Sequence, residues 1–238
     1  MCAQLSKKMI TPGHKPSAKD VVAIEDYHVM TGASVQHYPI CELFASIQGE
    51  GSWTGRPMIF IRVWGCPLSC PWCDEPRHRD PDTRQWLTSQ EILEQIANIA
   101  PDIPYIVLTG GEPLAVEGIQ DLILALKHQG YWVAMESSGE GGPLPASGLD
   151  WLTLSPKTTA PETTFLAANE IKYVLAAEGG STAAILARAQ RHPNVWVQPR
   201  ATGSIPDPQA VRRCVALVLA SKGRLRLSLQ THKYLGIP

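Results

Sequence analysis

Three cysteines stand close enough in the sequence to bind one metal centre. Cys66, Cys70 and Cys73 follow the spacing C-x3-C-x2-C within residues 65–74. Soft thiolates are the usual ligands of iron–sulfur clusters, and a 4Fe-4S cluster has one coordination position to fill on each iron. Three cysteines would leave one iron open for a substrate or a cofactor. The spacing therefore predicts a 4Fe-4S cluster with an open position.

Two other uses of these cysteines stay open. A structural zinc site needs a fourth Cys or His, and His78, five residues after Cys73, could supply it. Such sites usually contain paired C-x2-C knuckles or paired histidines, which this segment lacks. A disulfide with one thiol left over is the weaker alternative, because nothing else in the chain indicates secretion.

Composition indicates one medium-sized domain that acts on a small molecule. The chain has 238 residues, 44% of them hydrophobic, and its 21 Lys and Arg against 22 Asp and Glu give a net charge of −1. This balance offers no electrostatic footprint for nucleic acid or for an anionic membrane. No apolar run approaches the ~18 to 20 residues of a spanning helix, and no signal peptide is recognisable. We expect a cytoplasmic protein that binds neither nucleic acid nor membrane.

The chain divides into an extension and a core. Residues 1–37 show no sustained periodic spacing of apolar residues. We predict an N-terminal extension there, part of it disordered. Residues 38–238 alternate short apolar runs with helical stretches, which is typical of βα units around a mostly parallel sheet. The predicted strands cover residues 40–44, 58–64, 105–109, 132–136, 151–154, 171–175, 195–198 and 225–229. The predicted helices cover residues 89–100, 117–128, 182–191 and 208–221.

These elements predict an α/β fold of a particular kind. Four helices are too few for a complete eight-fold barrel, and a core of about 200 residues is shorter than the usual ~250. We therefore predict a partial, open (βα) barrel with an abridged set of helices. In such folds, ligands bind at the carboxyl ends of the strands.

Polar motifs follow the predicted strands at those carboxyl ends. The cysteine run begins directly after the strand that ends at Trp64, and the next strand runs into Gly-Gly-Glu-Pro at residues 110–113. Glycines let the backbone approach a ligand, and Glu112 could accept a hydrogen bond from an ammonium group. Two further strands end in Glu-Ser-Ser-Gly at 136–139 and Ser-Pro-Lys at 155–157. These loops offer hydroxyls for a ribose and a cation for a carboxylate, although each motif alone is more often a plain turn.

Together, the cysteine spacing and the Gly-Gly-Glu-Pro motif resemble the radical S-adenosylmethionine (SAM) superfamily. In that superfamily the open iron is chelated by the amino and carboxylate groups of SAM. Reductive cleavage of SAM yields a 5′-deoxyadenosyl radical, which the protein positions and shields. The resemblance implies a 4Fe-4S cluster, SAM, and an electron donor such as flavodoxin or ferredoxin.

Further motifs resemble the 7-carboxy-7-deazaguanine synthase family of that superfamily. They are Ser-Ile-Gln-Gly-Glu-Gly at 46–51, Phe-Ile-Arg at 60–62, Cys-Pro-Trp-Cys-Asp at 70–74 and Gln-Thr-His-Lys-Tyr-Leu at 230–235. The resemblance runs from about residue 40 to the last residue. It implies a radical SAM type of partial barrel, a homodimer and a carbon–nitrogen lyase of queuosine and 7-deazapurine biosynthesis. That lyase converts 6-carboxy-5,6,7,8-tetrahydropterin to 7-carboxy-7-deazaguanine with loss of ammonia, and it needs Mg2+.

The resemblance also implies roles for individual residues. The cluster ligands would be Cys66, Cys70 and Cys73. The SAM site would contain Trp72, Asp74, Gly111, Glu112, Glu136, Ser137, Ser155, Pro156 and Lys157. The substrate site would contain Ile47, Gln48, Gly49, Arg62, Thr109 and the terminal carboxylate of Pro238. Among these, the planar fork of Arg62 suits a substrate carboxylate.

Glu75 departs from the family pattern. The family usually has Thr or Ser after the Cys-Asp pair, and its hydroxyl binds Mg2+, whereas this chain has Glu75. A carboxylate is a good ligand for a hard cation, so Glu75 is our candidate Mg2+ ligand. Two alternatives stay open: Glu75 reaches past the metal and leaves Asp74 to hold its waters, or it forms a solvated ion pair with Arg77 or Arg79.

Two other functions stay open from the residues. A glycyl-radical-enzyme activase would share the cysteine loop and a small barrel, but it would act on a partner protein. The Ser-Ile-Gln-Gly-Glu-Gly loop and the histidine-containing C-terminus argue against it. A zinc-binding interaction module is the non-enzymatic alternative.

Overall fold

The part of the chain that the structure describes is built on one mixed sheet of nine strands with a separate two-stranded hairpin. The computed structural model describes residues 35–158 and 161–238. Its strands are β1 (His37–Ile47), β2 (Pro57–Val63), β3 (Gln85–Thr88), β4 (Tyr105–Gly110), β5 (Trp132–Ser137), β6 (Trp151–Leu154), β7 (Glu170–Leu175), β8 (Val195–Pro199), β9 (Ala201–Thr202), β10 (Ile205–Pro206) and β11 (Leu225–Leu227). The hairpin is β9 with β10.

The sheet is mostly parallel and it does not close. Its strand order is β11-β8-β7-β6-β5-β4-β2-β1-β3, in which the seven strands from β11 to β2 run parallel. β1 pairs antiparallel with both β2 and β3. Within the described residues the outer strands β11 and β3 do not pair with each other, so the curved sheet is a partial barrel. This confirms the predicted fold class.

Helices connect the parallel strands. They are α1 (Ser89–Ile99), α2 (Ile119–His128), α3 (Glu162–Ala167), α4 (Thr182–Ala189), α5 (Pro208–Ala220) and α6 (Thr231–Leu235). α1 begins with the capping box that its sequence predicts, because Thr88 Oγ1 accepts from the Glu91 N–H while Glu91 accepts from the Thr88 N–H. One face of α1 packs on the sheet, and its buried residues are Ile92, Leu93 and Ile96.

The sequence prediction missed the shortest elements. β3 is a four-residue edge strand whose Trp86 is 54% exposed, so it shows no alternation of apolar and polar residues. α3 and α6 have six and five residues, too few to display a helical period. β1 begins at His37, and residues 1–34 lie outside the described residues, so the predicted extension stays a prediction.

Large side chains fill the amino end of the sheet. Trp132 and Trp151 begin β5 and β6, and the ring of Trp53 packs edge-on against both, at 4.7 and 5.2 Å between ring centres. Met58, Val107 and Ala134 lie fully or almost fully buried against this aromatic group. Because side chains pack this end, we expect the substrate and cofactors to bind at the carboxyl ends of the strands.

Candidate active site

A cavity of about 390 Å³ lies at the carboxyl ends of the strands. It brings together all the residues predicted for cluster, SAM, magnesium and substrate, with the exception of Pro156. Its walls include Ile47, Gln48, Gly49, Arg62, Cys66, Cys70, Trp72, Cys73, Asp74, Glu75, Thr109, Gly111, Glu112, Glu136, Ser137, Ser155, Lys157 and Pro238. These residues come from six separate parts of the chain, so the cavity is a product of the fold.

The cysteine loop is fastened to the Gly-Gly-Glu-Pro loop by backbone hydrogen bonds. The N–H of Gly111 donates to the carbonyl of Val63 at 2.9 Å, and the N–H of Glu112 donates to the carbonyl of Gly65 at 2.8 Å. A Cβ at residue 111 would lie 1.8 Å from the Gly65 carbonyl oxygen. Glycine is therefore required at this position, because no side chain fits where the two loops meet.

The three cysteine thiols are free, partly buried and directed into the same cavity. Burial raises the pKa of the Cys66 thiol, although the Leu68 N–H donates to its sulfur at 3.4 Å. His78, the candidate fourth zinc ligand, is buried, and its Nε2 lies 3.5 Å from Cys73 Sγ. Partly buried, free thiols on one wall fit thiolate ligation of a cluster.

Glu112 is held by the loop that follows β5. Its carboxylate accepts from the Ser137 hydroxyl at 2.6 Å, from the Ser138 hydroxyl at 2.5 Å and N–H at 2.8 Å, and from the Leu114 N–H at 3.1 Å. The side chain is almost completely buried. Glu112 thus ties together the two loops that were predicted to contact SAM, and its own contact with SAM stays a prediction.

Lys157 faces Trp72 across the cavity. Its ammonium donates to the Ser155 hydroxyl at 2.7 Å and lies 5.5 Å from the ring centre of Trp72, close enough for a cation–π contact. Burial and the nearby ammonium of Lys172 lower the pKa of Lys157. The aromatic ring and the cation together frame one side of the cavity.

Glu136 lies among the predicted substrate residues. The Gln48 side-chain amide donates to Glu136 Oε1 at 2.9 Å, and Thr109 Oγ1 lies 3.5 Å from Oε2. Lys172 Nζ is 3.9 Å from the same Oε2. Glu136 was predicted to contact SAM, and Gln48 and Thr109 beside it were predicted to contact substrate, so the role of Glu136 stays a prediction.

Glu75 belongs to an arginine–glutamate network formed by Glu42, Arg62, Glu75 and Arg77. Arg77 donates to Glu75 through Nε and Nη2, both at 2.8 Å, and to Glu42 through Nη2 at 2.9 Å. Arg62 Nε lies 3.1 Å from Glu42 and 3.5 Å from Glu75. Burial opposes ionisation of Glu75, but the hydrogen bonds from Arg77 and the charge of Arg62 lower its pKa.

The C-terminal segment closes the wall next to the cysteine loop. Gln230 and Lys233 donate to Asp74 Oδ2 at 2.9 and 3.0 Å. Burial would raise the pKa of Asp74, but these donors outweigh it and lower the pKa to about 2. Further along, the Ser46 hydroxyl donates to an oxygen of Pro238 at 2.7 Å. The last residue therefore sits beside the end of β1.

Gly49 makes this closure possible. The Thr231 N–H donates to the Gly49 carbonyl at 3.0 Å, and a Cβ at residue 49 would lie 2.1 Å from His232 Nδ1. Any larger residue at position 49 would push the C-terminal helix α6 away from the cavity.

Several cavity residues were not assigned a role from the sequence. Glu50, Gln230, His232 and Lys233 belong to motifs that carried the resemblance, so a signal for them was present. Lys172 had a different signal, because a lysine inside a short apolar strand must find a buried partner. Glu42, Gln198 and Arg200 are further polar residues of the cavity without an assigned role.

The fold and the site define a radical SAM protein. A partial parallel barrel carries a three-cysteine loop at the carboxyl end of its first parallel strand, with glycine-rich and serine-containing loops beside it. The family model described as the radical SAM superfamily matches residues 61–230. Membership implies a 4Fe-4S cluster and SAM as cofactors, which favours the cluster over the zinc interpretation.

Comparisons with known proteins narrow the class. A protein of Synechocystis sp. named 7-carboxy-7-deazaguanine synthase is 35% identical over 203 residues, which cover 84% of this chain and 93% of the relative. A protein of that name from Haemophilus influenzae is 32% identical over 210 residues, covering 84% and 94%. The crystal structure of QueE from Escherichia coli matches with a TM-score of 0.68 at 26% identity, covering 88% of this chain and 99% of that one. The chain belongs to the 7-carboxy-7-deazaguanine synthase family.

None of the helices in the described ranges is both long and apolar enough to cross a membrane.

Proposed function

We propose that this protein is a carbon–nitrogen lyase that converts 6-carboxy-5,6,7,8-tetrahydropterin to 7-carboxy-7-deazaguanine with loss of ammonia, within queuosine and deazapurine biosynthesis. One observation carries the proposal. A single cavity contains the cysteine loop, the loops predicted to contact SAM and the residues predicted to contact substrate. A reaction that starts at SAM and ends on a pterin needs those three groups side by side.

The residues present fit a cluster and SAM. Cys66, Cys70 and Cys73 offer three free thiols, and the absent side chain of Gly111 leaves room for the two loops to meet. When bound, the reduced cluster and SAM supply the radical that begins the reaction. The protein contributes the ring of Trp72 and the ammonium of Lys157, which would orient the SAM aromatic and carboxylate groups.

The proposed substrate site offers a cation for the carboxylate of the pterin and a carboxylate for its ring N–H groups. Within the described part of the chain, the ion pairs of Arg62 are made through Nε, which leaves its two terminal nitrogens for a substrate carboxylate. Glu136 offers Oε2 to ring N–H donors, since its nearest neighbours stand at 3.5 and 3.9 Å. Gln48 and Thr109 stand beside it as further hydrogen-bonding groups.

Magnesium fits the local charges poorly. Mg2+ prefers oxygen ligands in near-octahedral geometry, whereas the Glu75 carboxylate already accepts two hydrogen bonds of 2.8 Å from Arg77 and lies 3.5 Å from Arg62. We propose that Glu75 binds the ion only where it releases Arg77, so that the guanidinium and the metal compete for one carboxylate.

Other features of the proposal concern the whole protein. We propose a homodimer that works in the cytoplasm and receives its electron from a flavodoxin or a ferredoxin. Size-exclusion chromatography with light scattering tests the dimer, and reduction by purified flavodoxin tests the donor.

Turnover tests the function. The protein is reconstituted anaerobically with iron and sulfide, then incubated with SAM, a reductant, Mg2+ and carboxytetrahydropterin. We expect a brown chromophore and 7-carboxy-7-deazaguanine in the product mixture. Deoxyadenosine without the deazapurine would refute the substrate while leaving the radical SAM class intact. Tight, stoichiometric zinc without a chromophore would refute the class itself.

A further inference from the structure

Lys172 occupies an unusual position for a lysine. It lies in the middle of β7, only 3% exposed, with its side chain in the wall of the active-site cavity. A lysine is almost never buried to this extent unless it is paired. Alternation along β7 puts Glu170 and Val174 on the same face, so this face of the strand points to the cavity and its floor.

Two carboxylates from distant parts of the chain meet the Lys172 ammonium. It forms a short contact with Glu50, which lies in the loop after β1, and it is 3.9 Å from Glu136 at the end of β5. Burial would lower the pKa of Lys172, but the charges of Glu136 and Glu50 raise it above its usual value. Lys172 therefore stays protonated and its charge persists inside the cavity.

β7 holds the loop after β1 at a second point. The Glu170 carboxylate, also buried, accepts from the Ser52 N–H at 2.7 Å. Gly51 has a positive φ of 63°, and a Cβ there would lie 2.1 Å from Glu170 Oε1. The loop that carries Gln48 is thus anchored on β7 by Glu170 and by Lys172.

The partners of Lys172 reach both sides of the cavity. Glu50 Oε1 accepts from Gln230 at 2.8 Å, and Gln230 also donates to Asp74 in the cysteine loop. Glu136 Oε1 accepts from Gln48, while its Oε2 lies 3.5 Å from Thr109 Oγ1. Lys172 is the cation where these two chains of hydrogen bonds meet.

We propose that Lys172 is a positioning residue for substrate binding, which holds Glu50 and Glu136 in place so that Gln48 and Glu136 present their hydrogen-bonding atoms to the pterin. The inference rests on the proposed function and adds a residue to its substrate site. Stability alone explains the pair poorly, because the desolvation of two buried charges offsets much of their attraction. A role in holding side chains in position at a binding site explains why this buried ion pair is present.

Binding of 6-carboxypterin, a fluorescent oxidised analogue, tests the proposal without turnover. Fluorescence anisotropy is measured on the reconstituted protein with SAM, for the wild type, Lys172→Met and the double variant Lys172→Met with Glu50→Gln. The control is Lys127→Met, which removes a partly exposed lysine paired with Asp150 outside the cavity. Thermal unfolding is recorded for every variant.

We expect Lys172→Met to bind at least tenfold more weakly and to unfold at a lower temperature, because it leaves Glu50 buried without its cation. The double variant removes that unpaired charge, so its unfolding temperature should recover while its affinity stays at least tenfold below wild type. If Lys172→Met does not fold, the double variant carries the test. The KM for SAM should change less than the KM for the pterin.

Two results would overturn the positioning role. One is wild-type affinity in Lys172→Met, and the other is a double variant that regains both stability and affinity, which would make the pair purely structural. A wild-type protein that binds no carboxypterin and forms no deazapurine would instead refute the proposed function.

Discussion

The side-chain amide of Gln48 donates a 2.9 Å hydrogen bond to Oε1 of Glu136. The two residues are 88 positions apart, in the loop after β1 and at the end of β5. The bond joins the predicted substrate loop to a loop that was predicted to contact SAM. It places Glu136 next to a residue that was predicted to contact substrate, which leads to the first prediction.

Replacing Glu136 with Gln should weaken the binding of the pterin more than the binding of SAM. The change keeps the shape and a possible hydrogen bond with Gln48, but it removes the charge that would accept from ring N–H groups. Hydrogen bonds to charged groups contribute about 1.5–3 kcal/mol, so we expect the KM for carboxytetrahydropterin to rise about ten- to hundredfold. Steady-state kinetics with each substrate varied in turn measures this. A raised KM for SAM with an unchanged KM for the pterin would return Glu136 to the SAM side.

Replacing Arg77 with Ala should strengthen the response to Mg2+. The change removes the guanidinium that occupies the Glu75 carboxylate, so a hard cation gains an available oxygen ligand. We expect the Mg2+ concentration for half-maximal turnover to fall several-fold. Glu75→Ala should raise that concentration. In the double variant with Arg77→Ala and Glu75→Ala, the lower Mg2+ requirement produced by Arg77→Ala should disappear.

The matched control for Arg77 is Arg84→Ala. Arg84 stacks 4.5 Å from the ring of Trp64, outside the arginine–glutamate network. An identical Mg2+ response in wild type, Arg77→Ala and Glu75→Ala would place the ion elsewhere.

Replacing Gly111 with Ala should push the Gly-Gly-Glu-Pro loop away from the loop that holds the cysteines. The new Cβ would lie 1.8 Å from the Gly65 carbonyl oxygen, so the backbone has to move. Overpacking of this kind costs about 1–3 kcal/mol, and we expect a lower unfolding temperature with less iron bound after reconstitution. Gly55→Ala is the comparison for backbone strain without a clash, because Gly55 has a positive φ, of 89°, and a Cβ there meets nothing within 4 Å. Gly111 is not among the positive-φ glycines of the described residues, so its loss is expected from the clash, and unchanged stability and iron content in Gly111→Ala would contradict this.

Tyr38 should make the protein less stable at high pH. Burial and the charge of Asp121 raise the pKa of Tyr38 to about 12. The unfolded pKa is about 10, so the folded protein keeps this proton more tightly than the unfolded chain. The contribution is fully present below pH ~10 and is lost as the pH rises from about 10 to 12. The unfolding temperature should fall less between pH 9 and pH 11 for Tyr38→Phe than for wild type. Equal falls would contradict the role of Tyr38 in this loss of stability.

Local sequence patterns were enough for the fold class and for the chemistry of the cysteines. Each of the eight predicted strands has a counterpart, because a short run of Val, Ile and Leu between turn signals is visible without its neighbours. The three cysteines lie within eight residues, so their spacing can be recognised without knowing how the rest of the chain folds. The strands and helices that were missed, β3, β9, β10, α3 and α6, are too short to show a period.

The partners of individual charges were decided only by the tertiary structure. Lys172 meets Glu50 across 122 residues and Asp74 meets Gln230 across 156, and both pairings depend on how β7, β11 and the loops align in register. Glu75 shows the same limit, because its sequence neighbours allow Mg2+, Arg77 or Arg79, and the fold selects Arg77 together with Arg62. By itself the sequence determined which chemical groups are available and near which strand ends they lie. The folded sheet and the loops at its carboxyl edge determined which groups touch, since electrostatic pairing acts over a few ångströms and those distances exist only in the folded chain.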